Sequence, residues 1–242
     1  MFEVIKNSID TYTKYLGMIL FFSIPFIISL LLPLFSPAPV FSALGGYFLR
    51  SGSIPELTNM DLVVIALSVG FSLLFLSLAL VAVTLVVKAS RTRTRVSAEA
   101  MRNLTKYTLM VFAIFAVVKV VQILILSYLL SAGTGELPLL LLNFFIFLGM
   151  FYLAPAIVLE EKKPVPAFMS SFKHISRRPM NFVTWLVIAF LLIYIVSSLS
   201  FMMFSDAMMR QGFTIIVNSL FILPFLVVLQ AHLYMLKYTI VK

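Results

Sequence analysis

The chain has no cysteine, one tryptophan, two histidines and nine acidic residues among 242. The absence of thiols excludes disulfides, thiolate catalysis and cysteine-ligated metals. The two imidazoles, His174 and His232, have no carboxylate at ligand spacing, so neither a metal nor another cofactor is expected. H-E-x-x-H, G-x-S-x-G and the phosphate-cradling glycine loop are missing too. Without a nucleophile–base pair or a metal set, no enzymatic activity is expected. Charge is equally scarce, 11% of residues against about 25% in a soluble domain.

Apolar residues fill the space. They make up 62% of the chain, with a mean hydropathy of +1.11, and they gather in runs of about twenty or more, the length a helix needs to cross a bilayer. The expected fold class is all-α, with one integral membrane domain over 1–242. It is a polytopic six-helix transmembrane bundle carrying short amphipathic interfacial helices. Glu3, Lys6, Asp10 and Lys14 precede the first apolar run. That run is longer than a signal-peptide core and lacks an A-x-A site, so it reads as a span.

Spans are predicted at about 15–35, 61–88, 108–130, 137–159, 181–204 and 213–236. Pro25, Pro155 and Pro224 fall in spans 1, 4 and 6. Internal prolines free carbonyls and kink helices, so these spans could surround a cavity. Asn143, Asn218 and Gln230 read as interhelical hydrogen-bonding groups, worth about 0.6 kcal/mol each. Between spans 1 and 2 the patch from Pro39 to Leu49 lies in the interface or, alternatively, turns back at Gly45-Gly46.

Six crossings return both termini to one side. Of the 18 basic residues, Arg50 and Arg210 fall on the opposite side and Lys119 within span 3; the rest share the side of the termini. The positive-inside rule then predicts cytoplasmic N- and C-termini in a multi-pass cell-membrane protein. The net charge of +9 is accordingly an orientation signal and a surface for anionic membrane lipids, not for nucleic acid. An anionic-lipid headgroup collar is assigned to Arg91, Arg93 and Arg95 together with Lys173, Arg177 and Arg178. For the RTRTR run, plain anchoring of a helix end is the alternative. Glu160 and Glu161 beside Lys162 and Lys163 read as a salt-bridged junction.

An amphipathic stretch precedes each odd-numbered span. Ile9 and Tyr12 stand before Lys14, Met101 and Leu104 before Lys106, and Phe172 and Ile175 before Arg177, at the same spacing. Thr13-Lys14-Tyr15 recurs as Thr105-Lys106-Tyr107. The pattern fits a three-fold repeat of amphipathic helix plus hairpin. The common need for basic interfacial helices accounts for it equally well.

Pro155, Glu160, Ala167, Ser171, Lys173 and Arg177-Arg178 follow a pattern in which a span ends on proline and glutamate, and an alanine-led amphipathic helix with a serine runs into basic residues. In this the chain resembles a family of six-span prokaryotic membrane proteins. That family includes the membrane domain attached to some glycerophosphodiester phosphodiesterases and stand-alone proteins of unknown function. The resemblance implies a six-span membrane domain. It does not imply phosphodiesterase activity, which belongs to a separate soluble barrel that no segment of this chain can form.

Lys119 is the charge deepest within a span, and such a group costs several kcal/mol unless it meets a partner or cavity. It is the centre of a candidate intramembrane anion or lipid site with Gln122, one turn away, and Asn143. Alternatively its stem snorkels or bonds freed carbonyls. Two functions are compatible with these features. One is a non-enzymatic module that engages lipid or a partner; the other is a small transporter or channel for an anionic or lipid-like solute near Lys119. The expected partners are membrane lipids, with a protein partner or homo-oligomer as further options.

Overall fold

The computed structural model describes residues 2–35, 58–92, 96–131 and 137–236. Among them every regular element is helical: α1 (Phe2–Lys14), α2 (Leu16–Leu31, continued by a tight turn Leu32–Phe35), α3 (Asn59–Thr92), α4 (Val96–Ser131), α5 (Leu137–Phe151), α6 (Leu153–Glu160), α7 (Pro164–Arg177), α8 (Pro179–Met203), α9 (Ala207–Val217) and α10 (Leu223–Met235). A short π-helical stretch, Asn218–Ile222, joins α9 to α10 just ahead of Pro224. Five segments are long and apolar enough to cross a membrane, and α2 makes a sixth when taken with α1, to which it is bent by 90°. At 34 and 36 residues, α3 and α4 reach about 50 Å, well beyond the ~30 Å hydrocarbon layer.

Two of the three amphipathic stretches are separate helices. α1 carries Glu3 in its first turn and Lys14 in its last, each matching the sign of the helix dipole. α7 starts on Pro164 behind an extended Lys163, and Pro179 opens α8 directly after it. The middle stretch differs from the repeat expectation. Helix α4 runs from Val96 to Ser131 without a break at Thr105-Lys106-Tyr107, whereas the same tripeptide, Thr13-Lys14-Tyr15, closes α1.

Burial is concentrated at one end of the bundle. The second half of α3, all of α6 from Leu153 to Val158 and α10 from Leu226 to Met235 form its core. Ala79, Val81, Val83, Thr84 and Val86 of α3 are all at most 1% exposed. These small side chains let neighbouring backbones approach, which is what drives helix association where lipid is as apolar as the protein. Val81 and Leu85 pack toward α4 and α6, whereas Ala79, Val83 and Val87 pack toward α2 and α10.

The acidic–basic junction after α6 is ion-paired in part as expected. Glu160 pairs with Lys162 at 2.7 Å. Glu161, in the left-handed conformation with φ 52°, instead reaches across to Lys88 of α3 at 3.0 Å. The hydrogen bond from Lys88 holds the Glu161 carboxyl below its usual range. The pair is exposed on the glutamate side, so its contribution stays under about 1 kcal/mol.

Candidate functional site

Span 4 is broken at Tyr152, where α5 ends and α6 begins. Pro155 has no N–H to offer the carbonyl four residues earlier, that of Phe151. The Gln230 side-chain amide donates to that carbonyl instead. At the next residue the ladder is opened by a different device. The Ser171 hydroxyl of α7 accepts from the Tyr152 N–H at 3.0 Å and donates to the Leu148 carbonyl at 2.7 Å. In an unbroken helix those two backbone groups would bond each other; here a side chain is inserted between them.

Such insertion needs α7 to lie close against α5. Gly149 provides the room: a Cβ there would stand 2.2 Å from Phe168 Cζ and 2.7 Å from a Phe172 ring carbon. Ala167 and Ser171, both fully buried, form the contact face of α7. Phe151 meets Phe182 and Trp185 edge-on at centroid distances of 4.9 and 4.8 Å. Tyr152 meets His174 at 4.7 Å.

Gln230→Leu removes the donor to the Phe151 carbonyl and should cost about 1 kcal/mol of stability. Adding Pro155→Ala supplies a backbone N–H to the same carbonyl and should recover most of the loss. Thermal unfolding of the four proteins in this cycle checks the coupling; simple additivity would separate the two residues.

Phe151 and Gln230 also wall a cavity of about 400 Å³ that is otherwise mainly apolar, with Phe26, Leu76, Phe115 and Phe147 among its lining. A second cavity of about 250 Å³ adjoins it. The two share Leu73, Phe115, Gln122 and Met150, and Lys119 lines the smaller one. Gln122 donates to Asn143 at 2.9 Å across α4 and α5. Lys119, half-buried, thus shares the smaller cavity with Gln122, while Asn143, bonded to Gln122, lines the larger one. Of the polar span residues, Asn143 and Gln230 make the interhelical bonds expected of them; the buried Asn218 Oδ1 has no partner among the described residues.

Lys173, Arg177 and Arg178 converge with Lys162, Ser170 and His174 on a third cavity, of about 350 Å³. Arg93 and Arg95 of the assigned collar lie outside the described residues, as do the side chain of Arg91 and the Gly45-Gly46 segment. Among the described residues no group of histidine and carboxylate side chains could hold a metal. His232 serves packing: its Nδ1 donates to the Val228 carbonyl at 2.9 Å, and its Nε2 lies 3.3 Å from the Thr11 hydroxyl of α1.

Sequence reasoning did not single out Gly149, nor His174 as part of a basic cavity. The first had a legible signal, a lone glycine in an apolar span, which often marks close helix approach. These helices and their apolar surfaces are consistent with a helical membrane protein, with five or six segments long and apolar enough to cross a bilayer among the described residues. No protein-family model, curated protein or solved structure matches the chain.

Proposed function

We propose that this protein is a non-enzymatic membrane component that takes up an anionic amphiphile within the bilayer. Its acidic group would meet Lys119 and its apolar body would occupy the adjoining cavity. One observation carries the reading: a lysine near the middle of a span lines a cavity that shares its wall with a larger, apolar one. An ammonium at that depth is costly without a counter-charge, and among the described residues no Asp or Glu lines either cavity. The resemblance to six-span membrane domains without chemistry of their own agrees with this reading. The basic side, taken as cytoplasmic by the positive-inside rule, would face anionic headgroups.

Binding of a fluorescent fatty acid to the purified protein in neutral detergent tests the reading, with the matching monoacylglycerol as uncharged control. Lys119→Ala should weaken the fatty acid about tenfold, equivalent to roughly 1.4 kcal/mol, and leave the control unchanged. Lys119→Glu should abolish acid binding. Equal affinity of all three proteins for the acid would end the proposal. Flux of the same probe through proteoliposomes distinguishes a transporter from a binding module.

A further inference from the structure

The basic cavity beside α7 is independent of Lys119, and it has the features of a defined site rather than a diffuse charged surface. Ser170, Lys173, His174 and Arg177 are spaced to form one stripe of α7. Lys162 reaches the cavity from the segment before α7, and Arg178 from the joint after it. Lys162 is neutralised by Glu160, and Glu161 is taken by Lys88. Lys173, Arg177 and Arg178 make no ion pair among the described residues. Three like charges around about 350 Å³ repel each other unless an anion joins them.

The dipole of α7 would by itself attract cations to its last turn. It does not account for the imidazole. His174 is only 7% exposed, lines the same cavity, and its Nε2 is buried without a hydrogen-bond partner. Lys173 and Arg177 are exposed, as anchoring to headgroups would require, but anchoring has no use for an embedded ring beside them.

We propose that this cavity binds a phosphate-type oxyanion, either free in solution or carried on a lipid headgroup. Guanidinium forks match its tetrahedral oxygens bidentately, Lys173 adds charge, and the His174 ring in the cavity wall adds a further positive charge when protonated. Burial first, and then Arg178, hold the His174 pKa below its ordinary value, against a backbone hydrogen bond with Leu233 that raises it. Besides Lys162, Lys173, Arg177 and Arg178, the ring faces Tyr152 and Tyr234, which pack against it at 4.7 and 5.2 Å. Protonation adds a positive charge, so affinity for an anion rises as pH falls through the His174 pKa.

The test uses the full chain in neutral detergent with inorganic phosphate and sulfate as soluble probes. Nanodiscs of phosphatidylcholine with and without phosphatidic acid serve as the lipid probe. Arg177→Gln/Arg178→Gln should weaken whichever probe binds by about tenfold or more. The control Arg102→Gln/Lys106→Gln, which removes equal charge elsewhere, should weaken it by less than about twofold. Sulfate keeps its charge as pH falls below neutrality, so its binding should tighten as the His174 ring protonates, and His174→Gln should flatten that dependence. Binding of soluble anions identifies a free-phosphate site; binding only in phosphatidic acid nanodiscs identifies a headgroup site. Failure of every probe, or equal losses in the control, overturns the proposal. Lys119→Ala should leave this binding intact, which separates it from the intramembrane reading.

Discussion

Replacing Ser171 by alanine should destabilise the detergent-solubilised protein by about 3 kcal/mol, because a buried N–H and a part-buried carbonyl lose their partner together. The Tyr152 N–H and the Leu148 carbonyl both terminate on that hydroxyl, and Tyr152 and Ser171 are fully buried, leaving no water to substitute. The span could answer by closing its ladder and bonding the two groups directly. Doing so would straighten α5 into α6 and displace α7 from the groove that Gly149 opens. Either response is visible: thermal unfolding reports the loss, and hydrogen exchange at the Tyr152 amide distinguishes an orphaned donor from a re-formed helix. An unchanged midpoint with a protected amide would mean that the hydroxyl does not hold the break.

Gly149→Val should cost a similar amount, about 3 kcal/mol, by the opposite physics of overpacking. Its Cβ alone would overlap the Phe168 ring, and the Phe172 ring, packed edge-on to Phe168 at 5.4 Å, limits how far Phe168 can retreat. Phe168→Ala vacates that volume. The double variant should therefore be more stable than the sum of the two single losses predicts, with a coupling of about 1 kcal/mol or more. Strict additivity in thermal unfolding would show that α7 does not dock where Gly149 sits.

These two residues also mark where sequence reading stops. The long apolar helices and the positions of α1 and α7 follow from composition and spacing, because apolar runs of about twenty residues and short amphipathic stretches each have a recognisable period. Pro155 even announces a free carbonyl at Phe151. What supplies the missing donor is a matter of packing: Gln230 is 79 residues away, and nothing local indicates it. Lys119 shows the same division. Its depth is plain from the sequence, but that it borders a cavity shared with Gln122 depends on how α3, α4 and α5 meet. The fusion of the middle amphipathic stretch into α4 was not legible either, since Thr-Lys-Tyr ends α1 at residues 13–15 and lies inside α4 at residues 105–107.

The inserted hydroxyl belongs to a residue 19 positions beyond Tyr152. Span 4 cannot complete this bend by itself. Hydrocarbon offers no substitute donor or acceptor for the parted groups, so the interruption persists only while the following amphipathic helix stays docked, and undocking that helix would let the ladder close and the segment straighten.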